Sequence, residues 1–176
     1  MAVHTILHAE NPLLRQKSQK VKHFDHSLQK LIADMVDSMH AANGLGLAAP
    51  QIGVPLRLAV VEAPLSDETE NAPVKTRLYV LVNPEILHAE GEDTREEGCL
   101  SLPHYYGEVK RAQTVVVRCQ DRRGRTVKIK GAGILARALQ HEVDHLNGIL
   151  FVDRLEDIES LHYRPPQEQG RAETGL

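Results

Sequence analysis

The sequence predicts an α+β fold, and three observations carry that reading. Two stretches have the apolar spacing of helices that bury one face. The segments between them read as strands. Those strands are linked by hairpin-type turns and do not alternate regularly with helices, as a parallel α/β sheet requires. At 176 residues and 41% hydrophobic content, the chain can bury one core of ordinary size. No internal repeat or shift in composition divides it. The expected unit is a single domain over 1–155, followed by a polar, flexible tail over 156–176 that holds Pro165, Pro166 and Gly170.

The first helix is expected between Phe24 and Gly44. Leu28, Leu31, Ile32, Met35, Val36 and Met39 fall at i, i+3, i+4 spacing and make one apolar stripe. Asp25 or Ser27 can cap its start, and Asn43-Gly44 can end it in a left-handed turn. Arg57–Val61 and Arg77–Val82 read as strands, with Glu62–Thr76, which contains Pro64 and Pro73, as an exposed loop between them. Thr114–Cys119 and Thr126–Ile129 flank Asp121-Arg122-Arg123-Gly124, which predicts an antiparallel hairpin. The second helix is expected from Gly133 to Leu146, stopped by Asn147-Gly148.

Charge and composition exclude several function classes. The formal net charge of −3 gives no global field that would attract DNA or an anionic membrane. No apolar run approaches the ~20 residues of a membrane span. The N-terminus has no basic region followed by an apolar stretch, so no signal peptide is expected. Two cysteines, Cys99 and Cys119, are too few for a disulfide framework and suit a reducing compartment. A cytoplasmic location follows as the expectation.

His141-Glu142-Val143-Asp144-His145 is the strongest chemical signal. Residues four apart stack on one helix face, so two imidazoles can reach one metal ion, and Glu142 can reach a water beside it without ligating. A catalytic site needs a third protein ligand and one open position. Glu156, Glu159 and His162 are available downstream, but Cys99, in Glu97-Gly98-Cys99-Leu100-Ser101, is the better choice. Two histidines and a glutamate in a mostly buried helix would be costly without a partner, which favours a metal over a chance pattern. Cys119 lies in an alternating strand and reads as core. The segment Gly44-Leu45-Gly46-Leu47-Ala48-Ala49-Pro50-Gln51 lacks the Lys-Ser/Thr ending of a phosphate loop. Taken alone, it reads as a helix stop and a tight link.

Together these three segments resemble the signature motifs of peptide deformylase: G-x-G-x-A-A-x-Q at Gly44–Gln51, E-G-C-L-S at Glu97–Ser101 and Q-H-E-x-x-H at Gln140–His145. The resemblance extends from Asn11-Pro12-Leu13-Leu14-Arg15 to Asp153. It implies antiparallel sheets around a central helix carrying the HExxH metal motif, and removal of the formyl group from the N-formylmethionine of nascent polypeptides. It implies one divalent metal ion per chain, Fe(II) in the cell with zinc, nickel or cobalt as substitutes, held by Cys99, His141 and His145. By position, Glu142 is the catalytic carboxylate, and Gln51 and the backbone N–H of Leu100 hold the formyl oxygen. Leu45, Gly46 and Gly98 align the peptide as an added strand. Ala138, one turn before His141, and Leu45 are expected to flank the methionine side chain.

The chemistry is consistent with that assignment. One thiolate and two neutral imidazoles leave a divalent ion with a net single positive charge, enough to generate hydroxide from bound water near neutral pH. Glu142 then accepts the water's proton and returns it to the departing amine. Arg111 is expected to pair with Glu97 and fix the pocket wall. The sequence departs from well-known bacterial members at His104-Tyr105-Tyr106-Gly107, where they carry Glu-Gln-Arg, so the resemblance does not extend to the fine pocket contacts there, while the chemistry is unaffected. No long basic C-terminal helix for ribosome docking is evident. Arg118, Arg122, Arg123, Arg125, Lys128 and Lys130 offer a basic patch for a weak ribosome association, although a solvated hairpin is the simpler and preferred reading of them. A zinc endopeptidase would leave Cys99 unexplained, and a copper module would leave Glu142 and Gln51 unexplained.

Overall fold

Two antiparallel sheets and two helices build the protein, as the computed structural model describes it for residues 2–64 and 75–166. The helices are α1 (His26–Ala41) and α2 (Gly133–Leu146). Five strands form the larger sheet: β1 (Gly46–Ala48), β2 (Leu58–Pro64), β3 (Thr76–Glu90), β6 (Thr114–Gln120) and β7 (Thr126–Ala132), in the order β1-β2-β3-β6-β7. The smaller sheet joins β4 (Asp93–Cys99), β5 (Leu102–Arg111) and β8 (His162–Tyr163). Most of the loop expected over Glu62–Thr76, and the tail beyond Pro166, lie outside the described residues.

The helices cover opposite faces of β2. Leu28, Ile32, Met35 and Met39 of α1 pack with Leu58 and Val60, while Ala136, Leu139 and Leu146 of α2 pack with Ala59, Val61 and Ala63. A strand buried on both faces reads as a continuous apolar run, which is why Leu58-Ala59-Val60-Val61 shows no alternation. Asp25 caps α1, its Oδ1 accepting the Leu28 N–H at 3.1 Å, and Asn43 turns the chain away at φ 53°. Strands β6 and β7 pair antiparallel along their whole length. Alternation does not reveal the smaller sheet, because β4 is almost entirely polar and its one buried position is Glu97.

The structure corrects one expectation. The site able to hold a metal is not an HExxH motif carried by the central helix; it is a triad of Cys99, His141 and His145. The physical reason is donor count: α2 supplies two imidazoles, a catalytic metal site needs a third protein ligand, and that ligand comes from the end of β4. The site therefore belongs to the junction of helix and smaller sheet. No helix among the described residues is long and apolar enough to cross a membrane.

Candidate metal centre

The donor atoms converge. Cys99 Sγ lies 3.2 Å from His145 Nε2, which is 3.2 Å from His141 Nε2, and all three lie within 4.8 Å of one another. Ligands of one tetrahedral ion at ordinary Zn–N and Zn–S lengths stand about 3.3–3.6 Å apart, so the triad fits a single first-row divalent metal. Burial alone would raise the Cys99 thiol. The His145 and His141 imidazoles beside it outweigh that and hold it well below its ordinary value, in the thiolate form that a ligand needs.

His141 is oriented by Glu97. Its Nδ1 donates to Glu97 Oε2 at 3.0 Å, which leaves the Nε2 lone pair facing the other donors. Burial opposes ionisation of Glu97, yet Arg111 and His141 hold its carboxyl far below the usual range. Arg111 grips both carboxylate oxygens, at 2.8 and 3.0 Å, and reaches Asp144 at 2.5 Å. Arg137 adds a 2.7 Å bond to Glu97, and Arg154 one of 2.7 Å to Asp144. The Glu97–Arg111 pair is thus buried, with both side chains 5% exposed. Asp144, Arg137 and Arg154 were not singled out from the sequence. The available signal was an acidic residue on a helix face otherwise destined for the interior. Replacing Arg111 with Ala removes the one cation shared by two buried carboxylates and leaves each with a single arginine, Arg137 on Glu97 and Arg154 on Asp144. A loss of about 3 kcal/mol in denaturant-unfolding free energy is expected, against about 1 kcal/mol at most for a surface pair.

Around the triad the other predicted residues gather. Gln51, from the 3-10 turn Ala49–Ile52 after β1, is buried and anchored by its Oε1, which accepts the Ala48 N–H at 2.8 Å. Its Nε2 lies 3.7 Å from Cys99 Sγ and donates to Ser101 Oγ at 3.1 Å. Within the E-G-C-L-S motif, the sequence gives Ser101 no role of its own. The structure makes it the group that aims the Gln51 amide, and its N–H also points at Cys99 Sγ at 3.4 Å. Glu142 is 3% exposed, and its Oε2 has no hydrogen-bond partner in the structure. Burial pushes its carboxyl up from the ordinary range. A Cβ on Gly46 would stand 2.3 Å from Glu142 Oε1, so the β1 edge can approach this carboxylate only because residue 46 is glycine. A Cβ on Gly98 would meet the Tyr106 ring at 2.7 Å.

Beside the triad opens a cavity of about 620 Å³. Leu45, Gly46, Gln51, Gly98, Leu100, Ala138, His141 and Glu142 all line it, and it runs outward to His104, Tyr105 and Tyr106. Ala138 faces this cavity and also packs against the core cluster that contains Ala136 and Leu139. Cys119 is buried with Val117 and Leu139, and burial pushes its thiol up to about 11. It takes no part in the site.

This arrangement has counterparts. The family model described as polypeptide deformylase matches residues 3–160. A peptide deformylase from Thermomicrobium roseum is 50% identical over 173 residues, covering 98% of this chain and 97% of the relative. Among solved structures, a peptide deformylase from Legionella pneumophila superposes with a TM-score of 0.80 at 48% identity, over 90% of this chain and 89% of that one. A class I type b peptide deformylase from Acinetobacter baumannii, solved with Met-Ala-Ser bound, gives 0.79 at 36% identity, over 88% and 99%.

Proposed function

This chain belongs to the peptide deformylase family, and from that premise we propose how its residues divide the work of releasing a formyl group. It is a metal-dependent hydrolase that removes the N-formyl group from the N-terminal formylmethionine of nascent peptides. The observation that carries the site assignment is the convergence of Cys99, His141 and His145 beside the buried Glu142 carboxylate in one cavity.

Cys99, His141 and His145 would hold the metal. When bound, a divalent cation supplies Lewis acidity at the formyl group and lowers the pKa of water. Glu142 takes the proton of the attacking water and delivers it to the departing amine nitrogen, a role that its unpartnered Oε2 supports. Gln51 Nε2 and the Leu100 N–H donate to the formyl oxygen as negative charge grows there. Backbone groups of Leu45, Gly46 and Gly98 hold the peptide as a strand added to β1, which is an edge strand of its sheet. The methionine side chain enters between Ala138 and Leu45, where an unbranched thioether adapts to irregular apolar walls.

Replacing Gln51 with Ala should lower kcat by ~10²–10³ with a smaller change in KM, since its bond strengthens as charge develops. Ser101→Ala should lower kcat less, because it frees the amide without removing it. Steady-state kinetics on formyl-Met-Ala-Ser reads both. Equal falls in kcat and rises in KM would remove Gln51 from the oxyanion site.

Fe(II) is the metal proposed for the cell. The thiolate-imidazole set also accepts zinc, nickel and cobalt. A cytoplasmic location is proposed on the need to keep the Cys99 thiolate reduced. For a weak association with the ribosome, the support is the β6–β7 hairpin alone, where Arg118 and Arg125 are already engaged by Glu85 and Asp121. Residues 1–155 are proposed as the catalytic domain, with 156–176 following as a tail from which His162–Tyr163 docks on β5. Release of formate from formyl-Met-Ala-Ser tests the whole reading. Cleavage of internal bonds in unformylated peptides, without formate release, would overturn it.

A further inference from the structure

The cavity does not end at the metal centre. It extends past Gly98 to Tyr105, whose side chain is large, apolar in its ring and left 41% exposed. Leu45, also on the cavity wall, is 54% exposed. Two large apolar groups at the mouth of one cavity form a surface that a bound chain can cover, and it is continuous with the site already described.

Tyr105 is held in place by the C-terminal segment. Strand β8 pairs with β5 at Tyr105↔Tyr163 and Tyr106↔His162. The Tyr163 ring meets Tyr105 edge-on, with centroids 5.3 Å apart at 60°, and meets His104 at 6.0 Å and 73°. His104 sits at φ 70°, in the left-handed region, and its carbonyl accepts the Arg164 N–H at 2.8 Å, so the turn that presents Tyr105 is closed from the β8 side. Arg164 also lies over the Tyr106 ring at 4.7 Å and bonds both oxygens of Glu96 at 3.0 Å, while His162 approaches Glu96 at 3.2 Å. The charges on this rim therefore answer one another, and Tyr105 and Tyr106 stand beside Leu102 and Pro103 on the same wall of the cavity.

We propose that Tyr105, backed by Tyr163, forms an aromatic subsite that selects large apolar side chains in the residues following formylmethionine. This rests on deformylation being the reaction of the adjoining site. Tyr105 touches the substrate, and Tyr163 is a positioning residue that acts through it. Aromatic contacts of this kind correspond to about a twofold to tenfold preference.

The test compares kcat/KM for formyl-Met-Ala-Ser, formyl-Met-Phe-Ser and formyl-Met-Ala-Phe with the metal-loaded full chain. At least one phenylalanine peptide should be favoured over formyl-Met-Ala-Ser by about twofold to tenfold, through KM more than kcat. Tyr105→Ala and Tyr163→Ala should each bring that ratio toward 1, whereas Tyr105→Phe and Tyr163→Phe should keep it, with metal content measured alongside. A wild-type ratio of 1, or a preference that survives Tyr105→Ala, overturns the subsite. A ratio of 1 together with dimerisation that Tyr105→Ala abolishes would assign the face to a second copy of the chain. In either case, turnover of formyl-Met-Ala-Ser shows that the deformylase reading itself still stands.

Discussion

Glu142→Gln is expected to lower kcat for formyl-Met-Ala-Ser by ~10²–10⁴ while metal content and KM stay close to wild type. The replacement keeps the side chain's length and volume, which matters because Glu142 Oε1 lies where a Gly46 Cβ would clash. It removes the ability to accept a proton and return it. Glu142 is nearly fully buried and its Oε2 has no partner, so no structural bond is lost with the charge. Folding stability should be held or rise slightly, since a buried carboxylate without a partner costs free energy. A role in packing would show as a lower melting temperature, and a role as a ligand would show as lost metal. Near-normal kcat in a metal-loaded variant would contradict the proton-transfer assignment.

Loss of the thiolate should be more severe still. In Cys99→Ala only the two imidazoles of α2 remain, and metal content and deformylation should fall together to background. Changes in the outer shell of a metal site cost ~10–100-fold in affinity, and removal of a direct ligand should exceed that. Cys119→Ala is the matched control. Its thiol lies among Val117 and Leu139 on the apolar face of β6 and touches none of the donors, so metal and activity should both persist. Full metal occupancy with full activity in Cys99→Ala would remove β4 from the centre.

Much of this site was legible because its parts are local. The histidine pair, Glu142 and the periodic frame of α2 lie within fourteen residues of chain, where spacing translates directly into a shared face. Cys99 was chosen from a distant segment as the third ligand, and only the joint resemblance of three motifs gave Gln51 its role. What was not legible depends on contacts between distant segments. Strands β4 and β5 carry charges at inward positions, so alternation of apolar and polar residues cannot reveal them. Those charges are buried because Glu97 of β4, Arg111 of β5, Asp144 and Arg137 of α2, and Arg154 of the 3-10 turn Phe151–Arg154 satisfy one another. Tyr163 lies in a segment whose composition reads as tail, and its place on β5 follows from pairing with a strand that was itself hidden. The metal site could likewise not be placed on the helix alone, because its third donor approaches from the sheet.

The most direct test is to remove the metal and return it. The anaerobically purified protein is treated with a chelator, then titrated with Fe(II), while formate release from formyl-Met-Ala-Ser and metal content are measured on the same samples. The structure predicts activity that falls to background with the metal and returns in proportion to it, saturating at one ion per chain. Formate release that persists in metal-free protein, or a metal-loaded protein that releases none, would contradict it.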